Sequence, residues 1–353
     1  MTSNRPQIEP LEKMPSLRRT RLNMKNLELI RQDSFLTDRP FPLIMEPAVS
    51  GLDPIVWAAN NADFIGSQLS THGAILFRGF GIETVDTFNQ LVTAISGPPL
   101  EYRERSSPRS NVGGRIYTST DYPADQTIFP HNEHSYAQTF PLKLYFYCKQ
   151  PATEGGETPI ADCRRILERL DARLRDRFVE KKWMYVRNFG DGFGLSWKIV
   201  FQTDVREKVE DYCRANHIRP EWKHFGRLRT RQVRPPIIKH PRTGEMSWFN
   251  HATFFNISTL PLGIQHELLA EFQQEDLPNN TYYGDGSMIE SEVLDELRAA
   301  YLEESVSFSW QKGDVILLDN ILSAHARNWY VGPRQILFAM AEPYTRPDIR
   351  DQG

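Results

Sequence analysis

Pro130-His131-Asn132-Glu133-His134-Ser135-Tyr136 decides how this chain is read, together with a later stretch, Leu318-Asp319-Asn320-Ile321-Leu322-Ser323-Ala324-His325. On an extended segment, residues two apart project to the same side. His131 and Glu133 can therefore reach one ion from one face, while Asn132 points the other way. The pair alone is a weak signal. With 9 His and 45 acidic residues among 353, about one such pair arises by chance. A third ligand has to come from elsewhere, and His325 is the candidate. Its segment lies near the far end of the strand-rich part of the chain.

Two imidazoles and one carboxylate on a single face of a metal, with the opposite face open, form the arrangement of non-haem Fe(II) oxygenases. The same three ligands around Zn(II) and a bound water would make a hydrolase. A cupin-like binding protein with an inert pocket is the third reading. A glycine-rich phosphate loop, a Gly-x-Ser-x-Gly elbow and a His-Glu-x-x-His helix are all missing from the sequence. The net charge of -3 offers no basic field for nucleic acid. An apolar run of membrane-spanning length and a signal peptide are also missing, so no membrane partner and a cytoplasmic location are expected. Cys148, Cys163 and Cys213 form neither a disulfide framework nor a zinc pair and read as reduced, buried thiols.

The expected fold is α+β. Strand signals at 74–77, 142–148, 306–310, 315–319 and 335–341 bracket a middle rich in helical patterns. The strand–helix alternation of a doubly wound sheet is not present. A double-stranded β-helix, or jelly roll, would bring the early and late strands together across a cavity. Residues 1–35 read as a loosely ordered arm. Residues 36–353 read as one jelly-roll domain with flanking helices and a helix-rich insert at about 163–304, between the early and late core strands. Helices are expected after the Asp53-Pro54 cap, with Trp57, Phe64, Ile65 and Leu69 on one face, and after Asp162, with Ile166, Leu167, Leu170 and Leu174. The turn-rich stretch from 100 to 130 is expected to rim a cleft.

Two further groups complete the pattern: Thr158 in Gly155-Gly156-Glu157-Thr158-Pro159, and Arg334 in Gly332-Pro333-Arg334. With them, about residues 70 to 345 resemble the Fe(II)/2-oxoglutarate oxygenases of the taurine dioxygenase and clavaminate synthase-like family. Within it, Trp248-Phe249-Asn250 and Tyr282-Tyr283-Gly284-Asp285-Gly286 resemble the syringomycin-type amino-acid hydroxylases.

The resemblance implies that His131, Glu133 and His325 ligate Fe(II), and that Arg334 and the Thr158 hydroxyl hold the distal carboxylate of 2-oxoglutarate, with Arg327 as the fallback anchor. It implies O2 as the oxidant and oxidation of an amino acid, free or tethered to a carrier protein. Hydroxylation is the default outcome, with oxidative cyclisation or desaturation as alternatives. Taurine dioxygenase has a sulfonate-binding Arg where this chain has Phe338, so an apolar substrate contact is expected there. Asn132 and Asn250 are further substrate candidates. Because Glu133 supplies a carboxylate, halogenation is disfavoured. His72, His134 and His251 read as local hydrogen-bonders. Oligomeric state has no signature in the sequence.

Overall fold

The computed structural model describes residues 29–101, 109–119, 122–190 and 194–347. Its spine is the strand Thr139–Gln150, buried without interruption from Phe140 to Cys148. Burial of successive residues means that both faces are covered. Alternate side chains divide accordingly. Tyr145 and Tyr147 join a cluster with Leu317, Phe77, Trp57, Leu69 and Leu91, which brings in the helices Pro54–Asn60, Ala62–His72 and Val85–Ser96. Leu144 and Phe146 face the opposite way, into a cluster with Leu318, Ile336, Phe338 and Ile160.

That strand is the fifth of eight in one sheet, ordered Ile30–Ser34, Leu43–Pro47, Ala74–Phe77, Val315–Asp319, Thr139–Gln150, Gln335–Thr345, Ile116–Thr118 and Asn111–Gly113. Early and late strands are thus immediate neighbours. A second sheet, ordered Ser305–Val306, Ile160–Asp162, Ser323–Arg327 and Ile128–His131, meets the first through Ile160 and Val306. The cleft described below opens between the two.

Several expectations are corrected. The helix expected after Asp53 is two helices. Asp53 accepts from the backbone N–H groups of Ile55 and Val56, and Asn61 breaks the run by donating its side-chain amide to the Trp57 carbonyl at 2.7 Å. The helix expected after Asp162 likewise stops at Arg169, and a new one, Ala172–Lys181, starts under an Asp171 cap. Of the arm expected over 1–35, residues 1–28 lie outside the described residues, while Ile30–Ser34 is a strand paired with Leu43–Pro47.

Besides its helices, the stretch 163–304 carries an antiparallel sheet that was not expected, ordered Arg219–Trp222, Leu228–Arg234, Trp183–Phe189 and Asn279–Tyr283. The strand Leu228–Arg234 hides its arginines by pairing them. Arg229 donates to Asn188 Oδ1 and Asp276 Oδ1, and Arg234 donates to the Tyr136 carbonyl.

Candidate metal centre

His131 ends the strand Ile128–His131 and lies opposite His325 of the strand Ser323–Arg327 in the ladder register. The two rings are therefore neighbours, with centroids 4.4 Å apart. Glu133 lies just past the strand, in a turn rather than on the extended segment expected. Asn320 fixes that turn. Its Oδ1 accepts from the Glu133 backbone N–H at 2.8 Å, and its Nδ2 donates to the Glu133 and Pro141 carbonyls at 2.8 Å each. Donor atoms from His131, Glu133 and His325 all lie within 4.8 Å of one another.

This set suits a divalent cation. The carbonyl of Phe129 can only accept, so its 2.9 Å contact with His131 Nδ1 places the ring proton there and leaves Nε2 as a lone pair. His325 Nδ1 is buried without a hydrogen-bond partner among the described residues, and its Nε2 is 3.9 Å from Glu133 Oε2. Burial pushes the His131 ring below its ordinary range and the His325 ring well below it, so both favour the neutral form that binds metal. Burial alone would push the Glu133 carboxyl up, but it is held below its ordinary value, with the Arg109 guanidinium as the largest opposing cause.

The cleft beside these three is lined by Arg109, Ser119, Thr158, Arg327 and Arg334, with Ile128, Phe146 and Ile336 as its apolar wall. Arg334 donates Nε to the Gly156 carbonyl at 2.8 Å, and its Nη2 lies 3.5 Å from Thr158 Oγ1. Among the described residues no carboxylate pairs with it. Burial, then repulsion from Arg327, lowers its guanidinium to about 10, which still leaves it charged at neutral pH. A buried cation of this kind is a receptor for an anion.

The glycine pair shapes this end of the cleft. Gly155 and Gly156 both have positive φ, and a Cβ would collide with the Trp329 carbonyl at the first and crowd Arg334 at the second. Arg327, the fallback anchor, spends its guanidinium on the carbonyls of Tyr122, Pro123 and Gln126 and so holds that loop.

The structure gathers His131, Glu133, His325, Thr158 and Arg334 into one place. The three substrate candidates are different. Asn132 is fully buried and donates to the Asn320 carbonyl at 2.7 Å and toward Cys163 Sγ. Asn250 is engaged with the Pro236 carbonyl and the Ala252 N–H. Both brace turns rather than line the cleft. Phe338 is completely buried, packed on Phe146 and covered by Arg109. His251 meets the Ser135 hydroxyl through Nδ1, and His134 Nε2 lies 3.5 Å from Glu133 Oε1.

Arg109 was missed. It sits 24 residues before Glu133 and donates to it at 2.9 Å, inside a polar, turn-rich stretch with no periodic signal. His240 was missed too. It reaches Asp319 Oδ2 at 2.9 Å, while Asp319 Oδ1 accepts the N–H groups of Ile321 and Leu322. The acidic residue of the Leu-Asp-Asn stretch therefore holds the turn leading to His325.

A family model described as taurine catabolism dioxygenase TauD, TfdA family matches residues 37–340. The dapdiamide synthesis protein DdaC of Enterobacter agglomerans is 42% identical over 279 residues, covering 79% of this chain and 85% of that protein. A clavaminate synthase-like protein of Arabidopsis thaliana is 28% identical over 331 residues, covering 89% and 97%. Among solved structures, PvcB, described as an Fe, alpha-ketoglutarate dependent oxygenase from an isonitrile synthetic pathway, matches with a TM-score of 0.54 at 13% identity, covering 90% of this chain and 94% of that one. A second PvcB structure, from Pseudomonas aeruginosa, matches with the same TM-score and covers 88% and 91%. At such identity the likeness is one of fold.

Proposed function

The chain belongs to the TauD, TfdA dioxygenase family, and from that premise we propose that it is an Fe(II)- and 2-oxoglutarate-dependent oxygenase. Its substrate is an amino acid or amino-acid derivative of specialised metabolism, free or carrier-tethered, and hydroxylation of a C–H bond is the outcome. Arg334 carries the reading: a buried guanidinium without a carboxylate partner among the described residues, in the same cleft as three clustered metal-ligating side chains. A zinc hydrolase would leave it without a task.

We read the two facing sheets as the halves of a double-stranded β-helix, and residues 36–353 as one domain. Among the described residues no helix is long and apolar enough to cross a membrane, and the three cysteines are free and buried.

His131, Glu133 and His325 would hold the iron, which when bound supplies activation of O2 coupled to oxidative decarboxylation of 2-oxoglutarate. The protein's own part is placement. Arg334 and Thr158 would hold the distal carboxylate of the cosubstrate; Trp310 Nε1 donates to the Thr158 hydroxyl at 3.2 Å and fixes it, and the Gly156 carbonyl aims the guanidinium. Ile128, Phe146 and Ile336 keep water from the cleft, which strengthens each charged contact.

The experiment is succinate production from 2-oxoglutarate with Fe(II), ascorbate and air, screened against free and carrier-bound amino acids with mass detection of products. A gain of one oxygen supports hydroxylation. A loss of two hydrogens would replace it with cyclisation or desaturation, and metal-dependent turnover without succinate would remove the oxygenase reading.

A further inference from the structure

A second cavity, of about 700 Å³, shares none of its described lining residues with the metal cleft. Its size is in the range of small-molecule sites. One side is the hairpin of the strands Ile237–Lys239 and Met246–Trp248 with the turn between them, and the other is the end of the strand Gln335–Thr345 with Arg346 and Pro347. Ile237, Ile238, Met246 and Tyr344 supply apolar surface, and the described lining holds no carboxylate.

Arg346 is the informative member of this lining. The residue is 7% exposed, and its guanidinium carbon lies 5.2 Å from the ring centres of both Phe140 and Phe249, which hold it in place. Nη2 donates to the Ser135 carbonyl at 2.7 Å, and Nε faces the Ala137 carbonyl at 3.4 Å. Nη1 has no partner among the described residues, and no carboxylate pairs with the group there. Burial, then repulsion from Arg234, lowers the guanidinium to about 9, which leaves it charged at neutral pH. Two further cations line the cavity beside it. Arg242 reaches Glu342, while the exposed Lys239 makes no ion pair among the described residues.

A charged guanidinium fixed by carbonyls and rings, with one nitrogen unused at a cavity, is built to receive an oxyanion. The apolar walls call for an organic body behind that oxyanion rather than a bare inorganic ion. We propose that this cavity is a second ligand site, which takes a phosphate or carboxylate carried on an apolar body. The oxyanion meets Arg346 Nη1 and Lys239, and the body lies against Ile237, Met246 and Tyr344. Because Arg346 also holds the Ser135 carbonyl, two residues beyond Glu133, one side chain joins this ligand to the segment that carries a proposed metal ligand.

The test measures binding to the full metal-free chain by calorimetry at neutral pH. The probes are 1-naphthyl phosphate, 1-naphthoate and the uncharged 1-naphthol, which share one apolar body. At least one anion is expected to bind, one molecule per chain, about tenfold or more tighter than the alcohol. A stronger phosphate assigns a phosphorylated ligand, and a stronger carboxylate assigns an organic acid. Lys239→Glu and Arg346→Met are each expected to erase most of the preference, and Arg334→Ala, in the metal cleft, to leave it intact.

An alcohol that binds as tightly as both anions, or no binding by any of the three, would overturn the site. So would a preference that survives Lys239→Glu and Arg346→Met, or one that Arg334→Ala abolishes, because the anion would then sit in the metal cleft. The comparison of anions with the alcohol needs no variant, and Lys239 is exposed, so poor folding of Arg346→Met does not rescue the idea.

Discussion

At the scale of single residues, the three proposed ligands differ in what they do for the fold, and that difference can be measured. Replacing His131, Glu133 or His325 with Ala should each abolish succinate formation, because each removes one donor of the triad. Stability should divide them. His325 Nδ1 makes no hydrogen bond to any described residue, so His325→Ala loses mainly packing. Glu133→Ala takes the carboxylate away from a buried Arg109, a loss of about 3 kcal/mol or more. In urea melts of metal-free protein, Glu133→Ala should therefore be clearly the less stable of the two; equal midpoints would mean that the pair with Arg109 carries little weight. The cosubstrate groups separate by kinetics. Arg334→Ala should raise the KM for 2-oxoglutarate by roughly 30-fold or more, as expected for truncating a buried charged anchor. Thr158→Val removes one hydroxyl and should raise it by only about two- to tenfold. A larger effect from Thr158→Val would reassign the anchor.

At the scale of elements, the site depends on turns as much as on strands, and this decided what the sequence could reveal. The strand Thr139–Gln150 was legible because a continuous apolar run has few other fates, and His131, Glu133 and His325 were legible because metal chemistry restricts residue type and order. The sheet inside 163–304 was not, because the strand Leu228–Arg234 is rich in arginine and is stabilised by partners such as Asn188, Asp276 and the Tyr136 carbonyl, far away in sequence. Asn132 lies between two ligand candidates in sequence and Asn250 in a stretch that carries the family resemblance, yet their amides serve the backbone. Phe338 was placed by analogy with a sulfonate-binding position, and only the fold shows Arg109 covering it. The turn carrying Glu133 yields its own prediction. Asn320 satisfies three buried backbone groups there, so Asn320→Ala should cost about 2–4 kcal/mol and weaken metal binding at the same time. If urea melts put Asn320→Ala within about 0.5 kcal/mol of the wild type, the turn is held by something else.

At the scale of the whole molecule, the protein holds Arg109, Arg327 and Arg334 in one largely buried cleft, and repulsion from Arg327 is among the causes that lower Arg334. Metal and 2-oxoglutarate should therefore act on stability as well as on chemistry, since a ligand that binds only the folded state stabilises it by mass action. At a hundred times its dissociation constant the gain is about 2.7 kcal/mol. For a chain of this size that is a rise in Tm of roughly 4 °C. The two ligands should also be coupled. The dianion would meet Arg334 at one end and the bound cation at the other, so each ligand improves the field for its partner, and their joint effect should exceed the sum of the separate ones. Thermal melts of the wild type with Mn(II), with 2-oxoglutarate and with both measure this directly, and a chelator should reverse the metal-dependent part. The variants then locate the coupling. His131→Ala should lose the response to Mn(II) and keep a small response to 2-oxoglutarate through Arg334. Arg334→Ala should keep the metal response and lose most of the cosubstrate's. Were 2-oxoglutarate to raise the Tm of Arg334→Ala as much as that of the wild type, the distal carboxylate would lie elsewhere in the cleft, and Arg327 would be the group to examine next.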